Sequence, residues 1–324
     1  MDECMQDVTF ADNVKQVPII ILNWNGWEDT ILCIESIYAA EDEPLIWVVD
    51  NKSDLDKSED LKKKHPDVIF IMNDKNYGWA VANNIAIDIA KRAGHSHIYL
   101  LNNDCLVESS FLSSSLQQIE DDTATIGSYI VSLDGDSVIF DGKYADGEQA
   151  VSRQNILKNT TKVNGAGMLI NITAFYQTGE FDARYFCYQE ETEWCERATK
   201  IEGFKVKLNL ESVIRHAREG SDIGGNSIYY RTRNSFIQTK VRSPHMPILV
   251  DMILGKAQQS KKEGNVEKYE ALMCALQDGL AKQFSNRSSI NVRFFFKVIE
   301  WMSDVIVLKY LVKGYYKWLF KISW

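Results

Sequence analysis

The sequence predicts an α/β fold, a sheet of buried strands alternating with helices, followed by a helical carboxyl-terminal extension. Three observations predict it. Short uninterrupted apolar runs recur through the first hundred residues, amphipathic stretches separate them, and a polar cluster follows each run. Apolar runs of four to six residues suit strands buried on both faces of a parallel sheet. Their alternation with helical periodicity is the signature of an α/β domain.

In chain order, VPIIIL at 17–22 reads as the first strand and 27–38 as a helix. Residues 45–49 form a second strand, 68–72 a third, 78–93 a helix and 98–101 a fourth strand. The strands end in Asn23-Trp24-Asn25-Gly26, Asp50-Asn51-Lys52-Ser53, Asn73-Asp74-Lys75-Asn76 and Asn102-Asn103-Asp104. Ligands of open α/β sheets bind outside the carboxyl ends of the strands. Four polar ends in succession therefore imply one polar site. Residues 123–140 read as strand and hairpin, with Asp134-Gly135 as the turn. Gly165-Ala166-Gly167 marks a close approach of backbone to a ligand or another strand. A helix is expected at 190–201, a half-buried alternating strand at 204–208, and helix from about 228 onward.

The composition narrows the function classes. The 324 residues are 45% apolar and 25% charged, an ordinary globular balance. A net charge of −9 argues against a nucleic-acid partner, which needs a basic face. The six cysteines include no C-x-x-C pair, so neither a zinc site nor a disulfide framework is expected. The polar first 16 residues carry no secretory signal, and no run of about 18 apolar residues suggests a spanning helix. A cytoplasmic chain is the reading that follows.

Four constellations could carry chemistry. Asp104, just past a buried strand and flanked by Asn102 and Asn103, suits a hard divalent cation bridging phosphates, although Asn and Asp also favour plain turns. Glu190 and Glu191 open a helix, where acids also simply complement the helix dipole. An ionised carboxylate there could act as general base toward a sugar hydroxyl. Glu193 with Arg197, and Glu196 with Lys200, stand at ion-pair spacing and read as structural. His216 is a surface residue or a metal ligand, and imidazole beside Asp would favour Mn²⁺ over Mg²⁺. Arg233, in Tyr-Tyr-Arg-Thr-Arg-Asn, could hold a pyrophosphate or lie on a solvated helix face.

Taken together, ILNWNGWEDTILCIESI, VVDNKS, NYGWAVANN, YLLNNDCLVE, NGAGMLI, FDARYFCYQEETEWCERA, VIRHAREGS and YYRTRN resemble glycosyltransferase family 2, in its rhamnosyltransferase-like branch. The resemblance covers about residues 17–235. It implies a GT-A fold, a Rossmann-like mixed sheet, spanning 17–243. The nucleotide-sugar half would be about 17–105 and the acceptor half about 106–243, with a helical region at 244–324. It implies an inverting transfer from a nucleoside diphosphate sugar, dTDP-rhamnose first and UDP-hexoses second, to a glycan or lipid-linked glycan of the cell envelope. Mn²⁺ or Mg²⁺ would be held by Asp104 and His216. Glu191 falls on the base, with Glu190 in reserve, and Asp50 falls on the contact to the nucleotide base. Asn23, Asn25, Asn51, Asn76, Gly78, Asn83, Asn102, Asn103 and Arg233 fall along the donor site. Two departures stand out: Glu191 replaces the usual Asp, and Val81 and Ala82 replace two glycines. A non-catalytic nucleotide-sugar-binding protein of the same fold is the alternative reading.

The last stretch, 292–324, repeats lysine at 309, 313, 317 and 321 among Trp, Tyr and Phe. That is the composition of a helix lying in a membrane interface, here the inner face of the cell membrane. A helix packed on the catalytic domain, or a homodimer contact, is the alternative.

Overall fold

A computed structural model describes residues 17–41, 43–140, 157–217, 225–239 and 245–284. The polar residues 1–16 and the basic-aromatic stretch 292–324 lie outside the described residues. The chain divides into two compact units, through Arg218 and from Glu219 onward.

The first unit begins with β1 (Ile19–Asn23), α1 (Trp27–Ala40), β2 (Ile46–Asp50), α2 (Ser58–Lys64), β3 (Ile69–Met72), α3 (Gly78–Arg92) and β4 (His97–Asn102). There follow β5 (Cys105–Val107), α4 (Phe111–Leu116), β6 (Thr123–Ser132), β7 (Val138–Phe140), β8 (Leu157–Thr160) and β9 (Gly167–Asn171). The unit ends with α5 (Ile172–Thr178), α6 (Glu190–Ala198) and β10 (Lys205–His216). Among the described residues these strands make one sheet in the order β3-β2-β1-β4-β9-β6-β10-β5, with β7 on β6 and β8 on β10.

Apolar patterning explains the layering. Ile19 and Ile21, Ile46 and Val48, and Tyr99 and Leu101 enter one core under α1 and α4. Ile20, Trp47 and Val49, with Ile98 and Leu100, enter the other under α3, α5 and α6. Each fully buried aliphatic side chain contributes roughly 1.5–3 kcal/mol. Neither α1 nor α3 has a side-chain N-cap, a deficit of about 1 kcal/mol that such burial outweighs. The orphan donors of α3 are met instead by a loop carbonyl. Phe186 O accepts from Trp79 N at 2.5 Å and Ala80 N at 3.3 Å.

The sheet is mixed rather than wholly parallel, as the family resemblance implied and the apolar runs alone did not. β3, β2, β1 and β4 are parallel, whereas β9 runs antiparallel to both β4 and β6. A strand buried on both faces reads the same in either direction. The expected half-buried strand at 204–208 is the start of the twelve-residue β10, and there Val206 to Asn209 are all buried. Lys207 is buried because its ammonium reaches Glu120 at 2.8 Å and the Gln118 carbonyl at 3.5 Å. Arg197 pairs with Glu193 at 2.8 Å. Glu196 and Lys200 form no ion pair among the described residues, because α6 ends at Ala198 and Lys200 leaves its face.

The second unit holds α7 (Gly225–Gln238), α8 (Met246–Lys262) and α9 (Val266–Phe284). Phe236, Val250, Ile253, Leu254, Leu272 and Leu276 form its core. A Cβ on Gly279 would overlap the Phe236 ring, so this glycine lets α9 close on α7. No helix among the described residues is long and apolar enough to cross a membrane.

Candidate functional site

The register of β5 on β10 builds the centre of the site. Antiparallel pairing sets Ile214 opposite Val107, Arg215 opposite Leu106 and His216 opposite Cys105. Ala217 N donates to Asp104 O at 3.0 Å and continues the ladder by one rung. Asp104, just before β5, therefore meets the last residue of β10, and its Oδ1 stands 3.3 Å from His216 Nε2. Both side chains are less than one-fifth exposed.

Ligand atoms of Asp104, Cys105 and His216 lie within 4.8 Å of one another. The thiol does not fit a hard cation. Burial and then the neighbouring Asp104 charge push Cys105 well above the usual thiol range, and its Sγ donates to Ala166 O at 3.8 Å. An oxygen from Asp104 and a nitrogen from His216 remain, donors that could hold a divalent cation. Two neighbouring ligands at about 2.1 Å from an octahedral ion stand about 3 Å apart, close to the observed spacing. Asp29, on the first turn of α1, faces the same charge. Its carboxyl is raised above the ordinary range by burial, then by Asp104 and then by Glu28.

Asn102 and Asn103 hold the turn before Asp104. Asn103 Nδ2 donates to Gly26 O at 3.1 Å and to Thr30 Oγ1 at 3.2 Å. A Cβ on Gly26 would stand 2.5 Å from that nitrogen and would displace the Asn103 amide. Asn102 Oδ1 accepts from Trp79 Nε1 at 3.2 Å.

The residues expected on the nucleotide side form a second, tightly bonded group. Asn23 Nδ2 donates to Asp50 Oδ1 at 2.8 Å. Ser53 Oγ donates to the same oxygen at 2.6 Å, and Ser53 N donates to Asp50 Oδ2 at 3.0 Å. Asp50 is only 2% exposed. Asn51 joins β2 to the loop before α3, donating to Asn76 Oδ1 at 2.8 Å and Gly78 O at 3.2 Å. It accepts from Asn73 Nδ2 at 3.1 Å and Tyr77 N at 3.0 Å. Asn25, at φ +58°, is tied to Asp54 through both ends of its amide. Beside it Trp24 is 55% exposed, an aromatic face presented to water.

Gly78 sits at φ +75°, and a Cβ there would overlap Phe186 O. Asn83, buried in α3, donates to Trp79 O at 2.9 Å within its own helix. Its neighbour Asn84 is the one that grips another segment, donating to Phe181 O at 2.9 Å and accepting from Phe181 N at 3.2 Å. Arg233 belongs to the second unit. There its guanidinium lies 5.0 Å from the Tyr230 ring centre and donates to Asn234 Oδ1 at 3.0 Å.

Glu190 and Glu191 begin α6 after a contorted loop in which Phe186, Tyr188 and Gln189 all have φ between +62° and +74°. Non-glycine residues rarely adopt that region, and such residues gather at functional sites. Glu190 is 3% exposed, whereas Glu191 is partly open. Gly165 lies beside it: a Cβ there would press on Trp79 Cζ2 at 2.9 Å and stand in ordinary contact with Glu191 Cγ at 3.5 Å. Glu191 is thus linked through Gly165 and Trp79 to Asn102 and the Asp104 turn. Sequence reasoning missed Ser53, Trp79, Asn84 and Asp29. A serine in a turn and a tryptophan on an amphipathic helix carry no signal of a long-range bond.

The fold and this site define a GT-A-type sheet with an Asp-His centre at the strand ends. The profile of glycosyl transferase family 2 matches residues 19–176. The structure of GalNAc-T7 with UDP, GalNAc and Mn²⁺ superposes with a TM-score of 0.59 at 15% identity, covering 84% of this chain. This chain spans 58% of the length of that one. The structure of S. aureus TarS 1-349 in complex with UDP-GlcNAc gives 0.52 at 12% identity, covering 82% of this chain and 81% of that one. No curated protein matches the sequence.

Proposed function

We propose that the chain is an inverting, metal-dependent glycosyltransferase. It moves a sugar from a nucleoside diphosphate sugar, dTDP-rhamnose first and a UDP-hexose second, to a glycan or lipid-linked glycan in cell-surface polysaccharide synthesis. The observation that carries this reading is the Asp104–His216 pair at 3.3 Å, set by strand register at the carboxyl end of the sheet. Asp104 and His216 are the residues that would hold Mn²⁺ or Mg²⁺. When bound, the cation would offset negative charge on a departing diphosphate.

The chain's own groups do the rest. Trp24 offers a stacking face to a nucleotide base. Asp50 and Asn51 hold the loops around that base, since their hydrogen bonds tie β2 to the turns beside it. Glu191, at the mouth of the loop that ends in Gln189, takes the proton from the acceptor hydroxyl as its oxygen attacks. That step requires hydrogen-bond reach of about 2.6–3.2 Å. Direct attack inverts the anomeric carbon and needs no covalent enzyme intermediate. A peripheral position on the inner face of the membrane is part of the proposal. Its support is the lysine and aromatic composition of 292–324, and deleting that stretch should release the protein from anionic vesicles.

The test is a panel of dTDP- and UDP-sugars offered to the full chain with glycan and lipid-linked acceptors, in Mn²⁺, in Mg²⁺ and in chelator. Metal-dependent transfer from one donor class is the expected result. Tight nucleoside diphosphate binding with no transfer from any donor would make the chain a binding protein instead.

A further inference from the structure

Among the described residues Asn102 has one side-chain hydrogen bond, from Trp79 Nε1 to its Oδ1 at 3.2 Å. An indole nitrogen is a donor and never an acceptor, so the amide oxygen must be the end that faces it. The bond therefore removes the usual ambiguity between the two ends of an asparagine amide. It leaves Nδ2, with its two N–H donors, on the other side. That nitrogen has no protein partner among the described residues, and Asn102 is partly exposed, two positions before Asp104.

Trp79 is itself held. Its backbone N donates to Phe186 O at 2.5 Å. Its ring meets the Phe181 ring edge-on, with centres 5.1 Å apart, and Gly165 clears the space along its benzo edge. The ring thus has little freedom to turn its N–H elsewhere.

We infer that Trp79 is a positioning residue, which locks the Asn102 amide so that its N–H donors are presented to the diphosphate of the bound nucleotide. The inference rests on the functional reading above and deepens it. The three residues of the turn then divide their work. Asn102 donates to an anion, Asn103 staples the turn to α1, and Asp104 faces the cation. An amide in this role supplies donors without adding negative charge beside a doubly charged ligand.

The test measures Mn²⁺-dependent binding of UDP and dTDP, and of uridine and thymidine, to the full chain. Trp79→Phe keeps a ring against Phe181 and removes the N–H. It should weaken diphosphate binding several-fold while leaving nucleoside binding and Tm nearly unchanged. Asn102→Asp still accepts from Trp79 but presents no donor, and should lose about 10- to 100-fold in diphosphate affinity, the worth of a hydrogen bond to a charged group. Unchanged diphosphate affinity in both variants would overturn the inference. So would a parallel fall in nucleoside affinity and Tm, which marks a packing role. Tighter binding by Asn102→Asp in Mn²⁺ would make the position a cation ligand and overturn it as well. If the unaltered chain binds no nucleoside diphosphate, the functional reading itself fails before either variant is made.

Discussion

Asp104 and His216 are brought to 3.3 Å by the pairing of a three-residue strand with the end of a twelve-residue one. Asp104→Ala should abolish the Mn²⁺-dependent part of nucleoside diphosphate binding and leave Tm nearly unchanged, because the residue sits in a turn outside the core. His216→Ala should weaken the same binding less. Calorimetric titration with and without Mn²⁺ checks both, and an unaltered metal dependence in Asp104→Ala removes that residue from the site.

Glu191 is the partly open carboxylate of its pair, and Glu190 the buried one. Glu191→Gln should lower transfer on the order of 10²–10⁴-fold, the usual worth of a general base. Nucleoside diphosphate affinity should hold, because the base addresses the acceptor. Glu190→Gln should act chiefly on stability. A normal rate in Glu191→Gln together with a large loss in Glu190→Gln would reverse the two roles.

Two glycines two residues apart should fail in different ways. A Cβ on Gly167 would overlap the Ile214 side chain in the packed sheet. Gly167→Ala should therefore cost about 1–3 kcal/mol of stability, as overpacking does. Gly165→Ala should instead push on Trp79, which bonds Asn102, and lower transfer more than it lowers Tm. Thermal melts and rates measured on the same preparations separate the two effects.

Burial holds the His97 imidazole below its ordinary pKa of 6.5. His65 is lowered too, by burial and then by Lys64. The unfolded chain therefore binds protons that the folded chain refuses. Stability is fully present above the unfolded value and falls as pH drops through about 6.5 toward the folded values. Tm should decline as pH falls through about 6.5, and the decline should flatten in His97→Gln. An identical slope in that variant would assign the pH response to other groups.

The sheet and its site end were legible in the sequence because their signals are local. Apolar runs of four to six residues announced β1 to β4, helical spacing announced α1, α3 and α6, and the polar strand ends pointed to one site. Asp134-Gly135 was readable as a turn, and Gly165-Ala166-Gly167 as a close approach, because glycine placement reflects backbone need. The direction of β9, the full length of β10 and the burial of Lys207 had no local signal. They depend on which strand lies alongside and which acid arrives from elsewhere in the chain. Spacing could not reveal that Asn83 turns into its own helix while Asn84 grips Phe181, nor that Asp50 and Asn51 spend their hydrogen bonds on loops. Residue type and order determined which groups were candidates. Register and packing decided which of them meet, because a hydrogen bond forms within about 3 Å and that distance is set by the folded sheet alone.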